Sequence, residues 1–243
     1  MKSRSEPDGA RQTARIMETA SSRTFADRRS AGEALARAVR KEKLSPPVIV
    51  LGLPRGGVPV AFEVARELNA PLDVLVVRKV GMPGQRELAV GAIAAGGVQV
   101  REPTFATYLT RMGVNFDELA DAERVELDRR ERAYRASAAP LDLTGKTVVL
   151  VDDGLATGST MLAAVRSARK AHAGSVVVAA PVASDEAAAL VGGEADKLVV
   201  LKIPAFLSSI GQWYDDFRQI DDDEVQALLK QPSPATQAAS DSE

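Results

Sequence analysis

Short runs of aliphatic and β-branched residues alternate along this chain with segments whose apolar positions recur every three to four residues. That alternation predicts strands interleaved with helices, and so a mainly parallel sheet flanked by helices on both faces. Asp27 can cap a first helix whose inner face is Ala31, Leu35, Ala38 and Val39. Val48–Leu51 reads as a buried strand bounded by Gly52 and Pro54, followed by Val58, Ala61, Phe62, Ala65 and Leu68 at helical spacing. Further strands are predicted at Val74–Val77, Val90–Ala94, Thr147–Val151, Val176–Ala180 and Leu198–Leu201. A helix over Thr160–Ala171 has Gly174 beyond its end as a stop.

One segment breaks this rhythm. Asn115 with Glu118 resembles a capping pair opening a helix that runs to about Arg135. Its surface carries Glu126–Arg130, Asp128–Arg132 and Glu131–Arg135 four residues apart. Only Phe116, Leu119, Ala120, Leu127 and Tyr134 form an apolar stripe. The pattern describes an insertion, about 104–137, laid across the domain edge as a solvated connecting helix rather than a binding element. Both ends lack apolar periodicity, so residues 1–24 and 231–243 are expected to be disordered around a single domain at 25–230.

Composition narrows the function. The 243 residues are 45% hydrophobic and 26% charged, enough for a buried core without disulfides. Cys is absent, which removes thiolate nucleophiles and Cys-ligated zinc. A net charge of −2 argues against a general nucleic-acid binder. The opening residues have no signal-peptide core, and the densest apolar run, Pro46–Leu53, is too short to span a bilayer. A cytoplasmic protein with no membrane partner is expected. His172, the only histidine, stands at a predicted helix end and reads as a terminus cation rather than a catalyst.

The chemistry concentrates in Val148–Thr160, VVLVDDGLATGST. A buried strand ends in two adjacent carboxylates, then a loop of small residues, then a helix start. Ligands of open α/β sheets bind beyond the carboxyl ends of strands, which puts Asp152 and Asp153 at the functional edge. Backbone N–H groups of Ala156, Thr157, Gly158, Ser159 and Thr160, with the last two hydroxyls, can wrap a phosphate. The neighbouring acids suit the hydroxyls of a phosphorylated sugar. There is no Gly-Lys-Ser/Thr for a nucleotide P-loop and no G-x-G-x-x-G opening a helix.

This stretch resembles the thirteen-residue motif of type I phosphoribosyltransferases that binds phosphoribosyl pyrophosphate (PRPP). The resemblance implies that fold, with a helical insertion and a small C-terminal hood at about 203–230. It implies that Asp152 and Asp153 contact the 2- and 3-hydroxyls of the ribose, and that Ala156–Thr160 hold its 5-phosphate. Mg2+ would come bound through PRPP, near the two acids, with no direct protein ligand set. Leu53–Gly57 lies where the family keeps its pyrophosphate loop, often with a strained or cis peptide. There Arg55 offers a forked donor, and Gly56 and Gly57 permit close approach. Arg78 and Lys79 lie where the family places cations for pyrophosphate, at the start of a Gly/Pro-rich loop that resembles its mobile lid. Arg86 and Glu87 are further candidates there.

A bacterial subgroup with unassigned acceptors is the nearest likeness. It shares the FADR opening at Phe25–Arg28, RKxGxPxxxELAxGA at Arg78–Ala92 and IGxWYxDF at Ile210–Phe217. Trp213, Tyr214 and Phe217 gather within five residues of a chain with one Trp, three Tyr and six Phe. They are candidates to stack on a flat acceptor base, and Asp215 and Asp216 to read its donors; packing of the C-terminal region is an equal alternative. The resemblance implies transfer of a ribosyl 5-phosphate from PRPP to a nitrogen acceptor, with a nucleobase expected, and release of pyrophosphate. The alternatives are a regulatory protein that senses PRPP without transferase activity, and an interaction protein with a decayed site. A homodimer is left open.

Overall fold

The computed structural model describes residues 15–16, 24–135 and 141–231. The rest of the two segments expected to be disordered, 1–24 and 231–243, lies outside the described residues. In chain order the elements are β1 (Arg15–Ile16), α1 (Arg28–Val39), β2 (Val48–Gly52), α2 (Gly57–Leu68), β3 (Leu72–Val74), β4 (Val77–Met82), β5 (Gln85–Ala94), β6 (Val98–Arg101), α3 (Pro103–Arg111), α4 (Phe116–Arg135), β7 (Thr147–Val151), α5 (Ser159–Lys170), β8 (Ser175–Val182), α6 (Asp185–Gly192), β9 (Lys197–Lys202) and α7 (Asp222–Lys230).

Six strands form one parallel sheet in the order β1-β9-β8-β7-β2-β3. Successive strand residues point to opposite faces, and the two faces collect different helices. Ile49, Leu51, Val148, Leu150, Val176 and Val178 pack with Met161, Val165 and Ala168 of α5 and Ala187 and Val191 of α6. Val50, Val149, Val151, Val177 and Ala179 pack instead with Leu35 and Val39 of α1 and Val60, Ala61 and Val64 of α2. Each fully buried Val or Leu contributes about 1.5–3 kcal/mol relative to exposure, so this double layer dominates the stability of the domain. The expected cap of α1 is present: Asp27 accepts from the Ser30 amide, and the Ser30 hydroxyl accepts from the Asp27 amide.

The stretch Val74–Asn115 departs from the expected pattern. Val74–Val77 is not one strand, because β3 ends at Val74 and β4 begins at Val77. Val90–Ala94 does not join the parallel sheet. It belongs to β5, the centre of a separate antiparallel sheet β4-β5-β6. The supposed lid loop is a hairpin whose tip is Pro83–Gly84, and Gly81 sits inside β4 at a register shift. Glycine and proline clusters usually mark loops, but here one glycine takes a bulge and another the turn. α3 falls at the start of the expected helical insertion, as a short helix that was not expected separately from α4.

The small sheet is gripped between helices. Ala92, Ala94, Val98 and Val100 face Leu162 and Ala163 of α5, while Val80, Met82 and Val90 face Phe116, Ala120, Leu127 and Tyr134 of α4. The expected stripe of α4 is therefore largely buried. Its Glu126–Arg130 pair forms at 2.8 Å. Arg132 donates instead to the Asp128 carbonyl, and Arg135 reaches Asp73 at 3.0 Å rather than Glu131. Among the described residues no helix is long and apolar enough to cross a membrane.

Candidate active site

β2 and β7 are parallel neighbours, and Gly52 pairs with Val151 at their ends. The two loops that follow, Leu53–Gly56 and Asp152–Gly158, therefore leave the same edge of the sheet side by side. Leu53 donates to the Val151 carbonyl at 2.9 Å, and Gly57 donates to Leu53 at 3.0 Å. Between these loops, the hairpin and the segment after β9 lies a cavity of about 810 Å³.

Asp152 and Asp153 form its floor. The Asp153 amide donates to Asp152 Oδ1 at 2.8 Å. Burial and then the adjacent Asp153 charge push the Asp152 carboxyl well above the usual range. Asp153 is also raised by burial, against the pull of Arg28. That guanidinium donates from Nε to Asp153 Oδ2 at 2.8 Å, with 9% and 15% of the two side chains exposed. Removing one partner of so enclosed a pair costs about 3–5 kcal/mol. A Cβ at Gly56 would stand 2.0 Å from Asp153 Oδ2, so this approach of loop to carboxylate requires glycine. The peptide Pro54–Arg55 is cis.

The second loop is pinned from behind. Leu155 donates to the Val182 carbonyl, Ser184 donates from its amide to the Leu155 carbonyl, and its hydroxyl donates to the Ala156 carbonyl at 2.6 Å. These bonds hold the N-terminus of α5 open toward the cavity, where unpaired helical N–H groups and the helix dipole favour an anion. Ala156, Thr157, Gly158 and Thr160 line the space. Ser159 is buried and donates instead to Glu102 Oε2 at 3.2 Å.

The structure gathers some of the remaining candidates and disperses others. Lys79 and Arg78 both line the cavity, but Arg78 is held by Glu123 of α4, with Nη2 2.6 Å and Nε 3.2 Å from one oxygen. Arg55 is not in the lining; its Nη1 lies 3.7 Å from Asp222, which also accepts from Tyr134 at 2.6 Å. Burial and that bond push the Tyr134 phenol up to about 12. The side chains of Arg86 and Glu87 lie outside the described residues. His172 follows α5 with φ 61° and takes no place in the cavity.

Of the three clustered rings only Phe217 borders the cavity. Tyr214 is buried among Phe25 and Phe217, and its hydroxyl donates to the Asp153 carbonyl at 2.6 Å, so this ring cannot stack on a ligand. Trp213 is outside the lining, with Lys202 Nζ 5.8 Å from its ring centre. Asp215 and Asp216 are exposed and also absent from the lining.

Sequence reasoning missed Arg28, although the FADR motif contained it, because a partner 125 residues away leaves no local signal. It also missed Leu119, Ala122 and Glu123. These share one helical face at the cavity wall, so α4 is a wall of the site rather than a solvated connector. Their i, i+3, i+4 spacing was the available clue.

The geometry can be compared with known proteins. The phosphoribosyl transferase domain family matches residues 27–210. Two Mycobacterium tuberculosis proteins, from strains CDC 1551 and H37Rv, are named "Putative phosphoribosyl transferase MT0597" and "Putative phosphoribosyl transferase Rv0571c". Each is 47% identical over 206 residues, covering 84% of this chain. The chain spans about half the length of these relatives, 46% of each. The crystal structure of TT1426 from Thermus thermophilus aligns with a TM-score of 0.71 at 42% identity, covering 85% of this chain and 97% of that one.

Proposed function

The chain belongs to the phosphoribosyltransferase family, and from that premise we propose that it moves the ribosyl 5-phosphate of PRPP to a nitrogen atom of a flat heterocyclic base, releasing pyrophosphate. The observation that carries this reading is the pair Asp152–Asp153 at the cavity floor, between the end of a buried strand and a loop of small residues at a helix N-terminus.

In this reading the amides of Ala156–Thr160 hold the 5-phosphate, and the two carboxylates orient the ribose hydroxyls. As the anomeric bond breaks, positive charge gathers on the ribose and the carboxylates stabilise it. Positioning and fixed charge then account for the rate without a covalent nucleophile. Lys79 faces the departing pyrophosphate. Arg78 joins it only after leaving Glu123. Phe217 and Ile210 offer the apolar surface on which a base would lie.

Magnesium fits this constellation, because two adjacent carboxyls lie at the cavity, burial disfavours their charged forms, and a divalent cation beside them would favour those forms again. When bound with PRPP it supplies neutralisation of the charge on the leaving group. Among the described residues no three His, Cys, Asp or Glu side chains cluster to hold a metal by themselves.

The test is to incubate the protein with magnesium and PRPP and a panel of purine and pyrimidine bases, following pyrophosphate. Release that depends on one class of base supports the transferase. PRPP binding without release across the whole panel favours the sensing role instead.

A further inference from the structure

Arg28 opens α1, far in sequence from both the acids and the aromatic segment, yet its guanidinium meets both. Nε donates to Asp153 Oδ2 at 2.8 Å, and Nη1 donates to the Arg218 carbonyl at 2.8 Å. Its central carbon lies 3.9 Å from the centre of the Phe217 ring and 5.9 Å from that of Tyr214. Tyr214 in turn donates to the Asp153 carbonyl. Phe217 and Asp153 both line the cavity, whereas Arg28 stands behind them. The other charged groups near these acids are their own neighbours and Lys79.

We propose that Arg28 is a positioning residue that fixes the Asp153 carboxylate and couples occupancy of the PRPP site to the aromatic segment Trp213–Phe217. This rests on the transferase reading above. The physical basis is the shape of the guanidinium. A planar fork can donate along two directions in its plane while stacking a ring on its face, which an ammonium cannot do. PRPP hydroxyls drawing on Asp153 shift the carboxylate that Arg28 grips, and the stacked Phe217 moves with it. Trp213, the sole tryptophan, lies in the same segment and reports the movement.

The experiment titrates PRPP with magnesium into the full chain, reading heat for affinity and Trp213 emission for coupling, alongside a melting curve. Wild type is expected to bind with a saturating emission change. Arg28→Gln should bind about 10- to 100-fold more weakly, the loss expected for one charged hydrogen bond. Arg28→Lys should recover affinity to within about fivefold of wild type, because the charge beside Asp153 returns, while the emission change stays absent because the fork does not. Affinity of Arg28→Gln within twofold of wild type, or an undiminished emission change in Arg28→Lys, overturns the proposal. Should Arg28→Gln not fold, Arg28→Lys decides alone: an absent emission change with near wild-type affinity supports the proposal, and an undiminished change overturns it. Wild type that fails to bind PRPP at all overturns the transferase reading itself, which is a separate result.

Discussion

Beneath the cavity Leu51, Val149, Leu150 and Val151 have no exposed surface, whereas along its wall Arg78 and Glu123 grip each other with 26% and 28% of their side chains exposed. The floor is held by apolar burial, which has no direction and no substitute partner within reach. The wall is held by Arg78–Glu123, Arg135–Asp73 and Tyr134–Asp222, while Arg28–Asp153 ties the acid at the floor to the aromatic segment. A pair exposed like Arg78–Glu123 contributes at most about 1 kcal/mol, and a phosphate oxygen can replace its carboxylate. The contrast teaches where the molecule can change: the strands beneath the acids are held rigidly in place, while the cations at the wall are exchangeable.

The largest effect should come from the floor. Leu150→Ala removes a side chain packed among α5 and both neighbouring strands, and should cost about 2–5 kcal/mol in urea unfolding. A loss under about 1 kcal/mol would mean that the floor is not the rigid part. Gly56→Ala tests the join between loop and acid. With Asp153 Oδ2 only 2.0 Å from the new Cβ, it should lose about 1–3 kcal/mol and weaken PRPP binding measured by calorimetry.

Asp152→Asn should act in the opposite direction. A carboxyl whose pKa is higher folded than unfolded binds more protons in the fold. Its penalty is absent below the ordinary value of 3.8 and grows as pH rises through the folded value. The amide oxygen can still accept from the Asp153 amide. Near neutral pH the ligand-free variant should therefore gain about 0.5–2 kcal/mol while binding PRPP poorly, a gap that closes toward acid. Thermal melts of both proteins across a pH series check this, and a gap independent of pH would remove the electrostatic cause.

Glu123→Gln should be the mildest change, under about 1 kcal/mol in stability. It should nevertheless speed amide exchange in Val77–Met82, since the hairpin loses its tie to α4. Unaltered exchange there would show that apolar contacts alone hold the wall.

This division also explains what was legible in the sequence. Thr147–Val151 reads as a strand because all five residues are apolar or β-branched and all five are buried, so local propensity and tertiary burial agree. Asp27 and Asn115 are legible for the same reason, since a cap acts within three residues; the Asp117 amide indeed donates to Asn115 Oδ1. The hairpin was not legible, because Gly81, Pro83 and Gly84 break strands locally and only pairing with Ala89–Ala94 and packing on α4 and α5 restores one. Tyr214 and Phe217 look alike at the sequence level. What separates them is the Asp153 carbonyl, which holds one hydroxyl inside while the other ring stays at the cavity. Arg135 likewise prefers Asp73, supplied from β3, over a carboxylate on its own helix.

The register Gly52↔Val151 joins two strands with α2, the hairpin sheet, α3 and α4 all lying between them in the chain. Closing such a long excursion costs entropy that grows only with the logarithm of its length, about 0.6 kcal/mol for each doubling. Lengthening or replacing the α3–α4 portion is thus cheap in chain entropy, and the strand pair that carries the acids is indifferent to it. Descendants of such a chain can trade one wall for another by insertion and deletion while inheriting the same pair of acids at the floor, so divergence should concentrate between Pro103 and Arg135 rather than around Asp152.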